Sequence, residues 1–192
     1  PQLLYMLANC FYKIRSYHAA QQQIEKAIAL DQTNPSYHLL LGEILSSSRD
    51  FPNAIKELEI AYGSNEISDK DTISLNLANS YYELGNYSKA REYYGQVLNK
   101  EDVVSEKVVD ERYRYAETLV KNKQFEAAVK QWEIIKSIRN IYLDVDQKLK
   151  TYSSIIANNA FRTALEMDIV EYLEKHFYRI LTINGYVVTD HI

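Results

Sequence analysis

The sequence predicts an all-α fold, an α-solenoid built as a stack of helical hairpins, and three observations carry that prediction. Composition is the first: five Gly and three Pro in 192 residues supply too little turn chemistry for a many-stranded sandwich. Stretches rich in Leu, Ala, Glu, Lys and Gln favour helix instead. The second is spacing, because Leu7 and Phe11, Leu41 and Leu45, Leu77 and Tyr81, and Tyr115 and Leu119 each sit four apart, on one helix face. The third is repetition. Ala20 in "YHAA" returns as Ala54 in "FPNA", Ala90 in "YSKA" and Ala128 in "FEAA", at gaps of 34, 36 and 38 residues. The aromatic three residues before each (Tyr17, Phe51, Tyr87, Phe125) and the small residue twelve before each (Ala8, Gly42, Ala78, Ala116) keep the same gaps. Extra residues therefore fall between copies and never inside one.

Within each copy the pattern describes a first helix, a break and a second helix. The breaks are "IRSY", "SRDF", "LGNY" and "NKQF", where Gly85 or a polar residue stops the first helix and the aromatic anchors the second. The second helix shows Ala20, Ile24 and Ala27, or Ala54, Leu58 and Ala61, spaced three and four. Small residues at Ala8 and Ala20 allow close approach of the two helices. Such a pair cannot bury its apolar face alone, and stacked neighbours complete the core. Of the two insertions, "GSNEISDKD" reads as a lengthened turn and "NKEDVVSEKVVDER" as an extended fourth-repeat helix. Beyond about residue 142 the register fails, and "DVDQKLKTYSSIIANNAFRTALEM" reads as one long or broken helix. A further helix starts at the N-cap Asp168, carries Ile169, Leu173, Phe177, Ile180 and Leu181 on one stripe, and stops at Gly185 before a strand-like "YVVT".

These columns resemble those of the tetratricopeptide repeat family over about residues 1–142. The resemblance implies a right-handed superhelix with repeats at about 1–34, 35–68, 71–104 and 109–142, followed by a helical cap over 143–192. The family's small positions fall on Ala8, Ala20 and Ala27 in the first copy and on Gly42, Ala54 and Ala61 in the second. The third and fourth copies depart at the last of these, with Val97 and Ile135. Ile135 stands where the next repeat's first helix would pack, which argues against an ordinary fifth repeat. The family's bulky aromatic near the start of the first helix is replaced by Leu4, His38, Ser74 and Arg112.

Little in the chain looks like catalysis. His18, His38, His176 and His191 are scattered and lack the helical spacing of a zinc site, so no metal and no cofactor is expected. Cys10, the single cysteine, excludes an intrachain disulfide framework and is expected as a small buried hydrophobe. Glu57 and Glu59 read as helix-surface charges, and Trp132, in the column of Ile24, Leu58 and Tyr94, as core. The net charge of −4 is mixed along the chain, which argues against a nucleic-acid partner, and no run of apolar residues is long enough for membrane insertion. The expectation is a soluble protein with no assigned compartment, cytoplasmic or bacterial periplasmic or envelope-associated. Richness in Lys, Asn, Ile and Tyr points to an AT-rich bacterial genome. A start at Pro1 and an end on "VVTDHI" are read as those of a fragment.

The family resemblance implies a partner protein, a peptide or helix held in a concave groove lined by the first helices. Counted from the family pattern, the groove residues are Tyr5, Asn9, Tyr12 and Lys13; Leu39 and Glu43; Asn76, Asn79 and Tyr82; and Tyr113, Arg114 and Glu117. Gln2, Ser36, Ser46, Thr72, Glu83, Asp110 and Lys121 belong to the same columns. Tyrosine gives a large contact area at low entropic cost, and asparagine can bond both N–H and C=O of an extended backbone. The subclass that grips chaperone C-terminal carboxylates is excluded. Asn9 matches its clamp, but Tyr5, Leu40, Thr72 and Asn76 stand where its Lys, Asn, Lys and Arg belong. The expected function is a non-enzymatic interaction scaffold in a larger assembly. Two alternatives remain: the recognition arm of an enzyme whose nuclease-like α/β domain begins near Asp168, and self-association through an uncapped end at Leu3, Leu4 and Leu7.

Overall fold

A computed structural model describes residues 1–100, 104–158 and 163. The expected helix from Asp168, its stop at Gly185, the strand at "YVVT", and His176 and His191 lie outside the described residues. Among those described, nine α-helices and no strand are found: α1 (Gln2–Lys13), α2 (Tyr17–Leu30), α3 (Pro35–Ser47), α4 (Phe51–Gly63), α5 (Lys70–Glu83), α6 (Tyr87–Leu98), α7 (Val109–Lys121), α8 (Phe125–Ile138) and α9 (Val145–Ala157). Each helix packs on the next in chain order. The first helices also touch one another, α1 on α3, α3 on α5 and α5 on α7, whereas no comparable contact joins α2, α4, α6 and α8. A stack whose two layers are spaced so unequally bends toward the closer layer, so the first helices line the inner face.

The four hairpin turns are built alike. Ser16, Asp50, Asn86 and Gln124 each donate their backbone N–H to a carbonyl five residues back, on Phe11, Leu45, Tyr81 and Leu119, at 2.8–2.9 Å. The residue before each, Arg15, Arg49, Gly85 or Lys123, donates three residues back and has a positive φ of 58–73°. This double bond pattern satisfies the orphan carbonyls at the helix end and requires one residue in the left-handed region. The residue that closes the turn also begins the next helix: the Asp50 side chain accepts from the Asn53 N–H and that of Asn86 from the Lys89 N–H. One tight turn thus fixes the angle between the helices of every pair.

The repeated columns form the core. Ala8, Ala78 and Ala116, and Ala20, Ala54, Ala90 and Ala128, are all without solvent exposure, as are Ile24, Leu58, Tyr94 and Trp132. The last small column is also buried, by Ala27, Ala61, Val97 and Ile135. Gly42 has a steric reason: a Cβ there would lie 2.7 Å from Leu58 Cγ and 3.3 Å from the Ala54 carbonyl oxygen. Of the sites where the family aromatic is missing, Leu4 packs against the core, Ser74 is buried, and His38 and Arg112 are buried with hydrogen-bond partners. His38 is buried, with Nδ1 2.7 Å from Glu57 Oε2 and Nε2 3.0 Å from the Gln32 carbonyl. Arg112, fully buried, donates through Nη1 to the Leu98 carbonyl (3.0 Å) and to Gln131 Oε1, joining α7 to the end of α6 and to α8. Glu57 and Glu59 are therefore more than surface charges, since Glu59 also accepts the Tyr81 hydroxyl at 2.7 Å.

Three local expectations need correction or completion. Cys10 is exposed, since among the described residues no helix packs on the outer side of α1; its counterparts Ile44, Ser80 and Thr118 are buried. The second insertion does not lengthen α7, which has 13 residues like α3. It forms a single 3-10 turn at Glu106–Val108, started by the Ser105 hydroxyl accepting the Lys107 N–H. The first insertion is a lengthened turn, as expected: residues 64–69 link α4 to α5, folded back by Lys70 Nζ donating to the Tyr62 and Ser64 carbonyls. Among the described residues after 142 lies α9, of 13 residues, which packs on α8 as α3 packs on α2; the rest of the expected long or broken helix falls largely outside the described residues. Its Tyr152 ring lies 5.2 Å from that of Trp132 and 5.7 Å from that of Phe125. Ile135 therefore does not prevent a helix from stacking at this end.

Candidate functional site

The inner face is laced by side chains that reach from one first helix to the next. Tyr12 and Ser47 hydroxyls meet at 3.3 Å between α1 and α3, and Ser46 and Ser80 hydroxyls at 3.0 Å between α3 and α5. Asn76 Nδ2 donates to Glu43 Oε1 at 3.2 Å across the same gap. Between α5 and α7, Arg114 Nη1 donates to Asn79 Oδ1 at 3.2 Å, with Glu83 3.9 Å away. Asn79 Oδ1 also accepts the Tyr94 hydroxyl at 2.5 Å from α6. At the far end, Tyr113 donates to Asp144 Oδ1 (2.6 Å) and Lys148 Nζ pairs with Glu117 Oε1 (2.7 Å), which ties α9 to α7.

Twelve residues were expected to line a groove; eleven of them are half-buried and Lys13 is exposed. Most of their polar groups are spent within the protein. The Tyr5 ring lies tilted 5.4 Å from that of Tyr37, Tyr82 lies 5.8 Å from the Tyr87 ring with the Arg114 guanidinium 5.9 Å from its own, and Leu39 packs against the core. Asn76 and Asn79, expected to grip a partner backbone, are oriented instead by Glu43, Tyr94 and Arg114.

What the structure adds is a cleft of about 270 Å³ where α3, α5 and α7 meet, lined by Ser46, Ser47, Arg49, Phe51, Asn76, Asn79, Ser80, Glu83 and Arg114. Asn76, Asn79 and Arg114 come together in it with Ser46 and Glu83. Tyr5, Asn9, Tyr12, Lys13, Leu39, Glu43, Tyr82, Tyr113 and Glu117 are not among its lining. Ser47, Arg49, Phe51 and Ser80 were missed by sequence reasoning. Ser80 left a trace, as a polar residue in a column otherwise held by Ile44, Thr118 and Cys10. Arg49 and Phe51 were hidden because they belong to the turn, which folds over the end of α3.

Burial shapes the electrostatics of the face. It raises the Glu43 carboxyl above its ordinary value, only partly offset by the Asn76 bond. It also raises the Tyr82 and Tyr113 hydroxyls, the second with help from its bond to Asp144, so both stay neutral donors. Among the described residues no group of three or more His, Cys, Asp or Glu is placed to hold a metal ion, and no helix is long and apolar enough to cross a membrane. The arrangement offers hydrogen-bond donors and acceptors around two guanidinium groups and one aromatic ring. It provides no nucleophile paired with a base.

A cleft on the inner face of stacked helical hairpins defines an α-solenoid, and comparison with known families specifies which kind. Tetratricopeptide repeat models match residues 5–71 and 73–102. Tetratricopeptide helix-turn-helix repeats are present over that span and continue as paired helices beyond it. No curated protein matches the sequence. Among solved structures, MamA superposes with a TM-score of 0.68 at 13% identity, covering 98% of this chain and 97% of that one. YrrB, described as a TPR protein with an unusual peptide-binding site, superposes at 0.69 and 13% identity over 95% of this chain and 89% of its own. TTC0263, a thermophilic TPR protein of Thermus thermophilus, reaches 0.54 at 19% identity over 81% and 80%. At these identities the likeness concerns the fold.

Proposed function

We propose that this chain is a non-enzymatic protein-interaction module that holds a segment of a partner protein against the inner face, as part of a larger assembly. The observation that supports it best is the cleft between α3, α5 and α7, walled by Ser46, Ser47, Asn76, Asn79 and Ser80. Its size suits one or two side chains rather than a whole helix, and its lining suits a polar segment in extended form. The bonds that fix Asn76, Asn79 and Arg114 in the free protein lower the ordering cost of binding. Tyr5, Tyr12, Tyr82 and Tyr113 extend the surface to either side as aromatic contact area. YrrB, of the same fold, is described with a peptide-binding site, which agrees with this use of the face.

The test is an affinity pulldown from source-cell lysate, quantified by mass spectrometry, with wild type beside a Ser47→Tyr, Arg49→Glu double variant. Both positions are exposed, so the fold should persist, as circular dichroism would verify. A protein captured by wild type and lost at least about tenfold by the variant supports cleft binding, the size of effect expected from blocking a binding centre. Equal capture by both would refute it.

A further inference from the structure

The two asparagines of the cleft between α3, α5 and α7 each spend one end within the protein, and partners with a single role fix which end. Asn79 Oδ1 accepts from the Tyr94 hydroxyl (2.5 Å) and from Arg114 Nη1 (3.2 Å); a guanidinium only donates, so the oxygen of this amide is placed without ambiguity. Both Asn79 N–H groups are left without a partner among the described residues. Their nitrogen is not one of the buried unpaired atoms, so it meets solvent, and Asn79 lines the cleft. Asn76, three residues earlier on α5, is set the other way: Nδ2 donates to Glu43 Oε1 at 3.2 Å, a carboxylate that accepts, which leaves Asn76 Oδ1 as an acceptor.

Arg49 stands in the turn between α3 and α4. Its N–H donates to the Ser46 carbonyl (3.1 Å) and that of Asp50 to the Leu45 carbonyl (2.9 Å), which holds its backbone. No hydrogen bond, ion pair or ring contact among the described residues engages its guanidinium. Arg114 donates to Asn79 and has Glu83 3.9 Å away, so most of its N–H groups remain for a ligand. The lining therefore sets two guanidinium groups against the one carboxylate of Glu83, an excess of positive charge in a chain whose net charge is −4. Glu43, outside the lining, is already bonded to Asn76.

We propose, on the footing that the cleft is the partner-binding site, that it takes the carboxylate of an aspartate or glutamate side chain carried by the partner's extended segment. Arg49 and Arg114 supply the opposite charge, the Asn79 N–H groups donate to the carboxylate, and Asn76 Oδ1 accepts a backbone N–H of the segment. A carboxylate matches the excess of one positive charge, whereas a phosphorylated side chain, close to doubly charged, exceeds it and meets Glu83. The site is distinct from the clamp for chain ends, whose Lys and Arg columns hold Tyr5, Thr72 and Asn76 here, since Arg49 comes from a turn and the ligand is a side chain.

The test is selection of phage-displayed random peptides on the full 192-residue chain. Such peptides are joined to the coat protein through their C-termini, so a terminal carboxylate cannot account for capture. Recovered peptides are synthesised with amidated C-termini and titrated by fluorescence anisotropy, beside versions in which the acidic residue is replaced by its amide or by phosphoserine. The protein variants are Arg49→Gln, Arg114→Gln and Ser47→Tyr. Ser47 and Arg49 are exposed, so those two variants test the site even if Arg114→Gln disturbs Asn79. The expected result is an acidic residue at one fixed place in the recovered peptides. Its amide version binds at least about tenfold more weakly, as does the acidic peptide to Arg49→Gln, the effect of losing a charge-assisted bond. The amide version no longer distinguishes Arg49→Gln from wild type. Peptides rejected by Ser47→Tyr whose amide versions bind as tightly as the acidic ones would overturn the acidic ligand and leave the cleft a peptide site. A phosphoserine version that binds at least as tightly as the acidic peptide would overturn the carboxylate in favour of phosphate. Peptides that bind Ser47→Tyr as tightly as wild type, or no recovered peptide at all, would overturn the cleft as a binding site and the acidic ligand with it.

Discussion

Glu43 is a carboxylate largely withdrawn from water in the inner face, with the Asn76 amide as its hydrogen-bond donor. Because burial raises its pKa above the ordinary 4.5, the folded chain binds this proton more tightly than the unfolded one does. Acid therefore favours the folded state at this site. The penalty of an ionised Glu43 appears as pH climbs past 4.5 and is complete above the raised folded value. Glu43→Gln removes the charge while keeping an oxygen for Asn76. It is expected to melt higher than wild type at about pH 7, with the difference vanishing near pH 4, about the ordinary carboxylate range; thermal melts at both pH values would measure it. Equal melting at neutral pH would mean that burial imposes no penalty on Glu43. Helical periodicity put Asn76, Asn79 and Arg114 of the cleft in the groove columns, whereas Ser47, Arg49, Phe51 and Ser80 were not read from it. Nor were the hydrogen bonds, since Asn79 meets Tyr94 and Arg114 through distances that repeat spacing alone does not encode.

The helices and turns were more readable than the residues between them. Identical gaps in three columns located all eight repeat helices, since a buried small residue tolerates no displacement along its helix. Of the four turns, however, only one advertises its backbone. Gly85 occupies the left-handed position in the third turn, while Arg15, Arg49 and Lys123 adopt the same conformation with a Cβ. That conformation is disfavoured for any residue but glycine. Arg15→Gly is expected to stabilise the chain by about 0.5–1 kcal/mol, the relief of a left-handed residue less the greater freedom of glycine when unfolded. Gly85→Ala should cost a similar amount, for no atom lies within 4 Å of the added Cβ and only the backbone resists it. Urea unfolding of the two variants would check both signs. The 3-10 turn before α7 was mistaken for helix because Val, Lys and Glu suit either, and Ser105 decided the matter locally.

At the scale of the molecule, stability in a stack comes from intrinsic and nearest-neighbour terms, so it should vary along the chain. α5 is flanked on both sides and holds Ile73, Leu77 and Ala78 without exposure. α1 has a single flank and buries only Ala8. Hydrogen exchange is expected to show α1 amides exchanging at least about tenfold faster than those of α5, a difference of about 1.4 kcal/mol or more in opening free energy. Uniform protection would mean that the array opens as one unit. Of the end expected to be bare, Leu3 and Leu7 are exposed but Leu4 is half-buried against the core, and Cys10 was misjudged because its column is buried in the other copies.

The close fit of Gly42 against Leu58 has a bearing on how such an array can be recombined. The other three first helices carry Ala in that column, and the column of Leu58 holds Ile24, Tyr94 and Trp132 in their hairpins, so the pair of residues differs from hairpin to hairpin. The helices are thus not interchangeable parts. A chimera that grafts α1 or α5 in place of α3 while keeping α4 brings a methyl group against Leu58, whereas moving a whole hairpin carries its matched pair along. The modular unit for shuffling, deletion or duplication is the hairpin, and cuts belong between hairpins, where the chain has already accommodated its extra residues.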